Sequence, residues 1–192
     1  MHHIYTTPSI ILHREPLDMS ASYIVLTRDL GLIRARAQGV RGAKSRLKGA
    51  LQEFSFSTVA YVHGKAGWKI TTAIPERNFF TDTNDTQKRK ILAHIFGVLI
   101  RLIVGEEKSP LIFSVIEKGF TELVEGGGDP SVVEVLILAR LLHLLGYLAK
   151  NEHTTLLFED YADFSPSMLS LTTTHRVLIV RAINKGLKES QL

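Results

Sequence analysis

The chain has no cysteine in its 192 residues. Disulfide scaffolds, thiolate nucleophiles and cysteine-based zinc sites are therefore excluded, and a reducing compartment fits. No apolar run is long. The most apolar stretch, 91–104, is 14 residues and contains His94 and Arg101, whereas a bilayer of about 30 Å needs roughly 20 residues to cross. The opening Met1-His2-His3-Ile4 leads into polar residues, so no secretory signal is expected. Aromatic residues make up only 8% of the chain, with a single tryptophan. What remains is ordinary globular composition, 45% hydrophobic and 22% charged, which argues against wholesale disorder. One or two domains of a soluble cytoplasmic protein are expected.

Signals for catalysis are also missing. The eight histidines include no i, i+4 pair on a helix and none with a carboxylate at ligand spacing. His94 and His143 lie in apolar helical stretches and read as hydrogen-bonded core or groove residues. Gly39-x-x-Gly42-x-Lys44-Ser45 fails as a P-loop, which needs four residues between its glycines and Lys directly after the second. Ser45 and Ser167 lack a nucleophile context. Glu106-Glu107 and Glu159-Asp160 read as solvated loop charges. No enzyme, metal or cofactor is expected.

The net charge of +4 is unevenly placed. Residues 1–80 carry 11 Lys/Arg against 5 Asp/Glu, and 81–192 carry 12 against 14. Within 28–48, Arg28, Arg34, Arg36, Arg41, Lys44, Arg46 and Lys48 face one acid, Asp29. Such an array attracts phosphates by counterion release. A solvated face that only keeps the domain soluble is the alternative.

The two halves differ in period. Residues 31–38 alternate Ile33, Ala35 and Ala37 against Arg34, Arg36 and Gln38, the mark of a half-buried strand. Further strands are expected at 9–14, 22–27, 54–63 and 68–76, with turns at 29–31 and 64–67. Phe54 and Phe56 read as core. Tyr61 and Trp68 flank the last turn and suit either stacking on bases or packing. Five short strands suggest an OB barrel, with an SH3-like barrel or a flat meander as alternatives.

Beyond residue 81 the spacing is helical. Asp85, Ser109-Pro110 and Asp129-Pro130 are start signals, and Gly126-Gly127-Gly128 is a stop. Helices are expected over 82–105, 110–125, 130–149 and 174–187, the last capped from Thr172–Thr174. The third is apolar nearly all round, as a central bundle helix would be. Residues 151–164 read as a loop or short hairpin. The expected architecture is α+β: a five-stranded OB-fold barrel over 1–80 and an all-helical domain over 81–192.

Four segments, 11–14, 24–31, 34–41 and 44–47, together with Ala50-Leu51-Gln52-Glu53-Phe54, resemble the N-terminal OB domain of bacterial RecO. Residues 139–147, ending Leu145-Gly146-Tyr147, resemble the helix that precedes that family's zinc ribbon. The resemblance implies a recombination mediator in DNA repair. Such a protein binds single- and double-stranded DNA, anneals complementary strands, and works with RecR to load RecA onto strands coated by single-strand-binding protein. It places the DNA surface on Arg34, Arg36, Arg41, Lys44 and Arg46. It also implies helical-domain surfaces for RecR and for the acidic tail of single-strand-binding protein. The four-cysteine ribbon of many members is missing, and 151–164 fills its place. A non-DNA-binding adaptor and an RNA-binding OB protein are the rival readings.

Overall fold

The computed structural model describes residues 3–18, 20–40, 46–103, 105–152 and 154–189. Two compact units are present: Met1–Asp82 with Ile103–Pro110, and Thr83–Leu102 with Leu111–Leu192.

In the first unit the strands are β1 (Ile4–Pro16), β2 (Ser20–Thr27), β3 (Gly31–Gln38), β4 (Ser55–Gly64) and β5 (Gly67–Asn78), with a short helix α1 (Arg46–Ala50) between β3 and β4. They close in the order β1-β2-β3-β5-β4, with β4 returning to β1. All pairings are antiparallel except β3–β5, which is parallel and short. This closed five-stranded layout is the OB fold, and closure removes the flat-meander alternative. β1 can serve two partners because of its length. It pairs β4 over Ile4–Ile10 and β2 over Ser9–Pro16, with an irregularity between Ile11 and His13 that lets the strand bend.

Both expected turns form. At β2–β3 the Thr27 hydroxyl accepts from Leu30 N–H and donates to the Gly31 carbonyl, each at 2.9 Å. At β4–β5, Gly64 pairs Gly67 across Lys65-Ala66, and Gly67 takes the positive φ of 88° that such a turn requires.

The barrel core contains Ile11, Tyr23, Val25, Ile33, Ala35, Val59, Tyr61 and Ile70. Thus β4 turns Val59 and Tyr61 inward. Of the two phenylalanines expected in the core, Phe56 is buried and Phe54 is only partly so. Phe54 precedes the strand at φ 68° and stacks on Phe80 at 4.9 Å, while Phe56 is buried against Phe79.

The second unit holds α2 (Thr86–Leu102), α3 (Pro110–Glu125), α4 (Pro130–Leu144) and α5 (Pro166–Glu189). Asp85 caps α2 by accepting from the N–H groups of Gln87 (2.7 Å) and Lys88 (3.2 Å). Asp129 caps α4 through Ser131. α4 packs against α2 and α5, and every residue from Val135 to Leu142 is buried, as its all-round apolar sequence predicts. It ends earlier than expected, with Gly146 at φ 82°.

α5 begins eight residues before the expected start. Ser165-Pro166 repeats the Ser109-Pro110 signal, and the Ser165 hydroxyl accepts from Met168 N–H. Thr172, Thr173 and Thr174 are not caps. Their hydroxyls donate one turn back to the carbonyls of Met168, Leu169 and Ser170, which is how threonine is accommodated inside a helix.

The segment after α4 contains a single 3-10 turn, Thr155–Phe158, and it is organised by Arg140. This arginine is fully buried on α4. Its Nε donates to the Leu157 carbonyl at 2.9 Å, and one terminal nitrogen donates to the carbonyls of Tyr161 (3.2 Å) and Asp163 (2.7 Å). The guanidinium lies over the Phe164 ring at 4.8 Å. His143 is a groove residue as expected. Its Nδ1 pairs with the Leu148 carbonyl at 2.7 Å, and its ring stacks on Phe158 at 4.1 Å. His94 is not in a core: it is half exposed and its Nδ1 lies 2.6 Å from Glu134.

Candidate nucleic-acid interface

Strand β3 sorts its side chains cleanly. Ile33, Ala35 and Ala37 enter the core, and Arg34, Arg36 and Gln38 are exposed. Arg34 and Arg36 therefore share the outer face, two residues and about 6.6 Å apart along the strand. Their surroundings differ. Arg34 reaches across β2 to Glu15 at 3.4 Å. Arg36 stands opposite Lys69 in the parallel β3–β5 register, and both are exposed. Among the described residues, neither makes an ion pair with a carboxylate. A depression of about 210 Å³ beside them is lined by Arg36, Lys69, Trp68, Gln38, Ser20 and Gly67.

Trp68 is half-buried at one end of the barrel. Its ring meets the edges or faces of Tyr5 (5.3 Å), His63 (4.7 Å) and Tyr61 (6.3 Å). Its Nε1 donates to Glu106 Oε1 at 2.9 Å; Glu106 is the exposed loop charge expected, and it also carries this contact. Tyr61 leaves the stacking candidates altogether. It is fully buried and its hydroxyl donates to Ser9 Oγ at 2.9 Å. Burial pushes its phenol well above the usual range.

The remaining cations are dispersed. Arg28 sits on the β2–β3 turn beside Asp29 at 3.4 Å. Hydrogen bonding from Thr7 lowers the Asp29 carboxyl, with Arg28 and Lys108 adding attraction. Lys48 lies on α1, at a separate cavity of about 320 Å³ shared with Arg14, Tyr23 and Glu53. There burial raises the Tyr23 phenol against the lowering effect of Arg14. Arg41, Lys44 and the Arg46 side chain lie outside the described residues.

Two cations escaped the sequence reading, Lys69 and Arg14. Lys69 was detectable in principle, because it alternates with buried Ile70. Its adjacency to Arg36 was not, since that pairing arises from barrel closure. Among the described residues no group of three or more His, Asp or Glu could hold a metal, and no helix is long and apolar enough to cross a membrane.

Fold and surface together define a class: an OB barrel with a cationic outer row, joined to a helical unit. The chain is similar to curated proteins that carry the name of the family its sequence resembles. It is 27% identical over 146 residues to DNA repair protein RecO of Dehalococcoides mccartyi strain CBDB1, covering 76% of this chain and 57% of the relative. It is 28% identical over 148 residues to DNA repair protein RecO of Thermobifida fusca, covering 75% and 60%. With DNA repair protein RecO of a Nocardioides species it shares 28% over 153 residues, 78% and 63%. The resemblance to RecO therefore extends over three quarters of the chain, and the chain spans about three fifths of the length of these relatives. No family model matches it.

Proposed function

We propose that this chain is a RecO-type recombination mediator of DNA repair that binds DNA on the outer face of its barrel. The observation that carries the reading is the Arg36–Lys69 pair. Two exposed cations meet on neighbouring strands, with Arg34 next along β3, in a chain similar to RecO proteins. Arg41, Lys44, Arg46 and Lys48 extend the contact with phosphates. Trp68 contributes the one aromatic group.

The mechanism is electrostatic. Cations on one face hold two strands close and lower their mutual repulsion, so complementary bases pair without nucleotide, metal or covalent catalysis. The helical unit supplies surfaces for RecR and for the acidic tail of single-strand-binding protein. RecA loading follows in the cytoplasm.

The test is annealing of complementary oligonucleotides, bare and pre-coated with single-strand-binding protein, at several salt concentrations. Salt-sensitive binding and accelerated annealing are expected. Absence of both supports the adaptor reading instead, and preference for RNA in direct competition supports the RNA-binding one.

A further inference from the structure

Trp68 is poised at a cationic depression, yet its polar edge is already occupied. Its Nε1 donates to Glu106 Oε1 at 2.9 Å, while the same indole lines the depression with Arg36 and Lys69. The Glu106 segment is seated on the barrel at a second point. Gly31 has φ 75°, and a Cβ there would lie 2.3 Å from the Glu107 carbonyl oxygen. Only glycine permits this approach. Lys108 also attracts Asp29 on the β2–β3 turn. Residues 105–108 are thus fixed at Trp68 by a side chain and at Gly31 by close backbone packing.

We infer that residues 105–108 form an acidic strap that competes with nucleic acid for the Trp68 end of the cationic face, with Glu106 as the competing group. The inference rests on the reading of the Arg36–Lys69 face as the nucleic-acid site. A carboxylate held on the indole places negative charge beside the residue that lines the depression with Arg36 and Lys69, and negative charge there opposes an approaching phosphate. A base that stacks on Trp68 must also displace or tolerate the hydrogen-bonded carboxylate. The strap therefore weakens binding and speeds release, which suits a protein that hands its strand on.

The experiment uses the full chain and a labelled oligothymidylate, titrated by anisotropy at low and high salt. Glu106→Gln removes the charge but keeps an oxygen that can accept the indole N–H. Glu107→Gln removes the same charge one residue away. Glu106→Gln is expected to tighten binding by roughly threefold to tenfold at low salt, with the gain shrinking as salt screens it. Glu107→Gln should tighten binding less, because the carboxylate hydrogen-bonded to the indole is that of Glu106. The chain has a single tryptophan, so Glu106→Ala should also shift its emission without any oligonucleotide present.

Equal affinity for wild type and Glu106→Gln overturns the strap, as does an equal gain from Glu107→Gln or an unmoved emission. Loss of binding in Arg36→Ala/Lys69→Ala shows that the face itself is in use. A chain that binds through those cations but ignores Glu106→Gln therefore refutes the strap alone. A wild-type chain that binds no oligonucleotide refutes both.

Discussion

Arg36 and Lys69 are register partners across the one parallel contact of the barrel, β3 against β5. They stand 33 positions apart in the sequence and a single strand spacing apart in space, about 4.8 Å. Closure of the sheet creates their adjacency. Open the barrel between β3 and β5 and each becomes an isolated surface cation of little consequence.

This pair makes the first prediction. Arg36→Ala and Lys69→Ala should each weaken single-strand binding, and together reduce the slope of log affinity against log salt by about 1.4, at roughly 0.7 per lost phosphate contact. Arg28→Ala should do much less, because Asp29 already lies at 3.4 Å. Salt titrations of one oligonucleotide against the wild type and the four variants decide it. An unchanged slope in the double variant removes these residues from the interface.

The strands and most helix starts were legible because each is encoded locally. Alternation at 31–38 identifies Arg34 and Arg36 as outward, and Asp129-Pro130 marks the start of α4. What local sequence left open or misplaced has a common origin in long-range packing. Tyr61 suits stacking or packing by sequence, and closure onto Ser9 of β1 puts it in the barrel core, while Phe56 on the other face of β4 is buried as expected. At α5 the run Thr172–Thr174 looked like a cap because it is polar. The real start at Ser165-Pro166 has no clear apolar period behind it. Lys69 gains its meaning only from a strand that lies 31 residues or more away in sequence.

Tyr61 separates packing from recognition. Tyr61→Phe removes the hydroxyl that donates to Ser9, while Ser9 still donates to the Thr7 carbonyl at 3.0 Å. A loss of about 1 kcal/mol is expected, a fall in Tm of about 2–4 °C for a chain this long. Oligonucleotide affinity should be unchanged. Tyr61→Ala leaves a cavity in the barrel and should cost about 3–5 kcal/mol. Thermal melts alongside binding isotherms test both. Weaker binding by a fully folded Tyr61→Phe chain contradicts the burial argument.

Asp129 provides a pH-dependent term. Its carboxylate accepts from the backbone N–H of Ser131 at 2.9 Å and from its hydroxyl at 2.7 Å, and these bonds lower its pKa. A carboxyl lowered in the folded state stabilises it above the unfolded value of about 3.9, and the contribution is lost as pH falls through the folded value. Asp129→Ala should cost about 1 kcal/mol at neutral pH, and Asp129→Asn much less, since asparagine also caps. Denaturant melts at pH 7 and below pH 3 should show the gap between wild type and Asp129→Ala closing in acid. A gap independent of pH refutes the ionised cap.

Arg140 makes the prediction with the largest stability effect. Burial lowers its pKa to about 10, and Asp163 and Asp160 oppose the shift, so the guanidinium is charged at neutral pH. Its three donated bonds satisfy carbonyls at 157, 161 and 163 that have turned away from regular structure. Arg140→Met keeps much of the volume but strands those carbonyls, each at a cost of about 1–3 kcal/mol where water does not reach. A total loss near 3 kcal/mol is expected. Arg140→Lys retains the charge without the planar fork and should recover only part of it. Hydrogen exchange locates the damage: amides across 155–164 should lose protection in Arg140→Met, while those of α2 and α3 fall only with global stability. The stack of His143 with Phe158 is a second anchor of the same segment. Protection across 155–164 that survives Arg140→Met would show that the stack alone suffices.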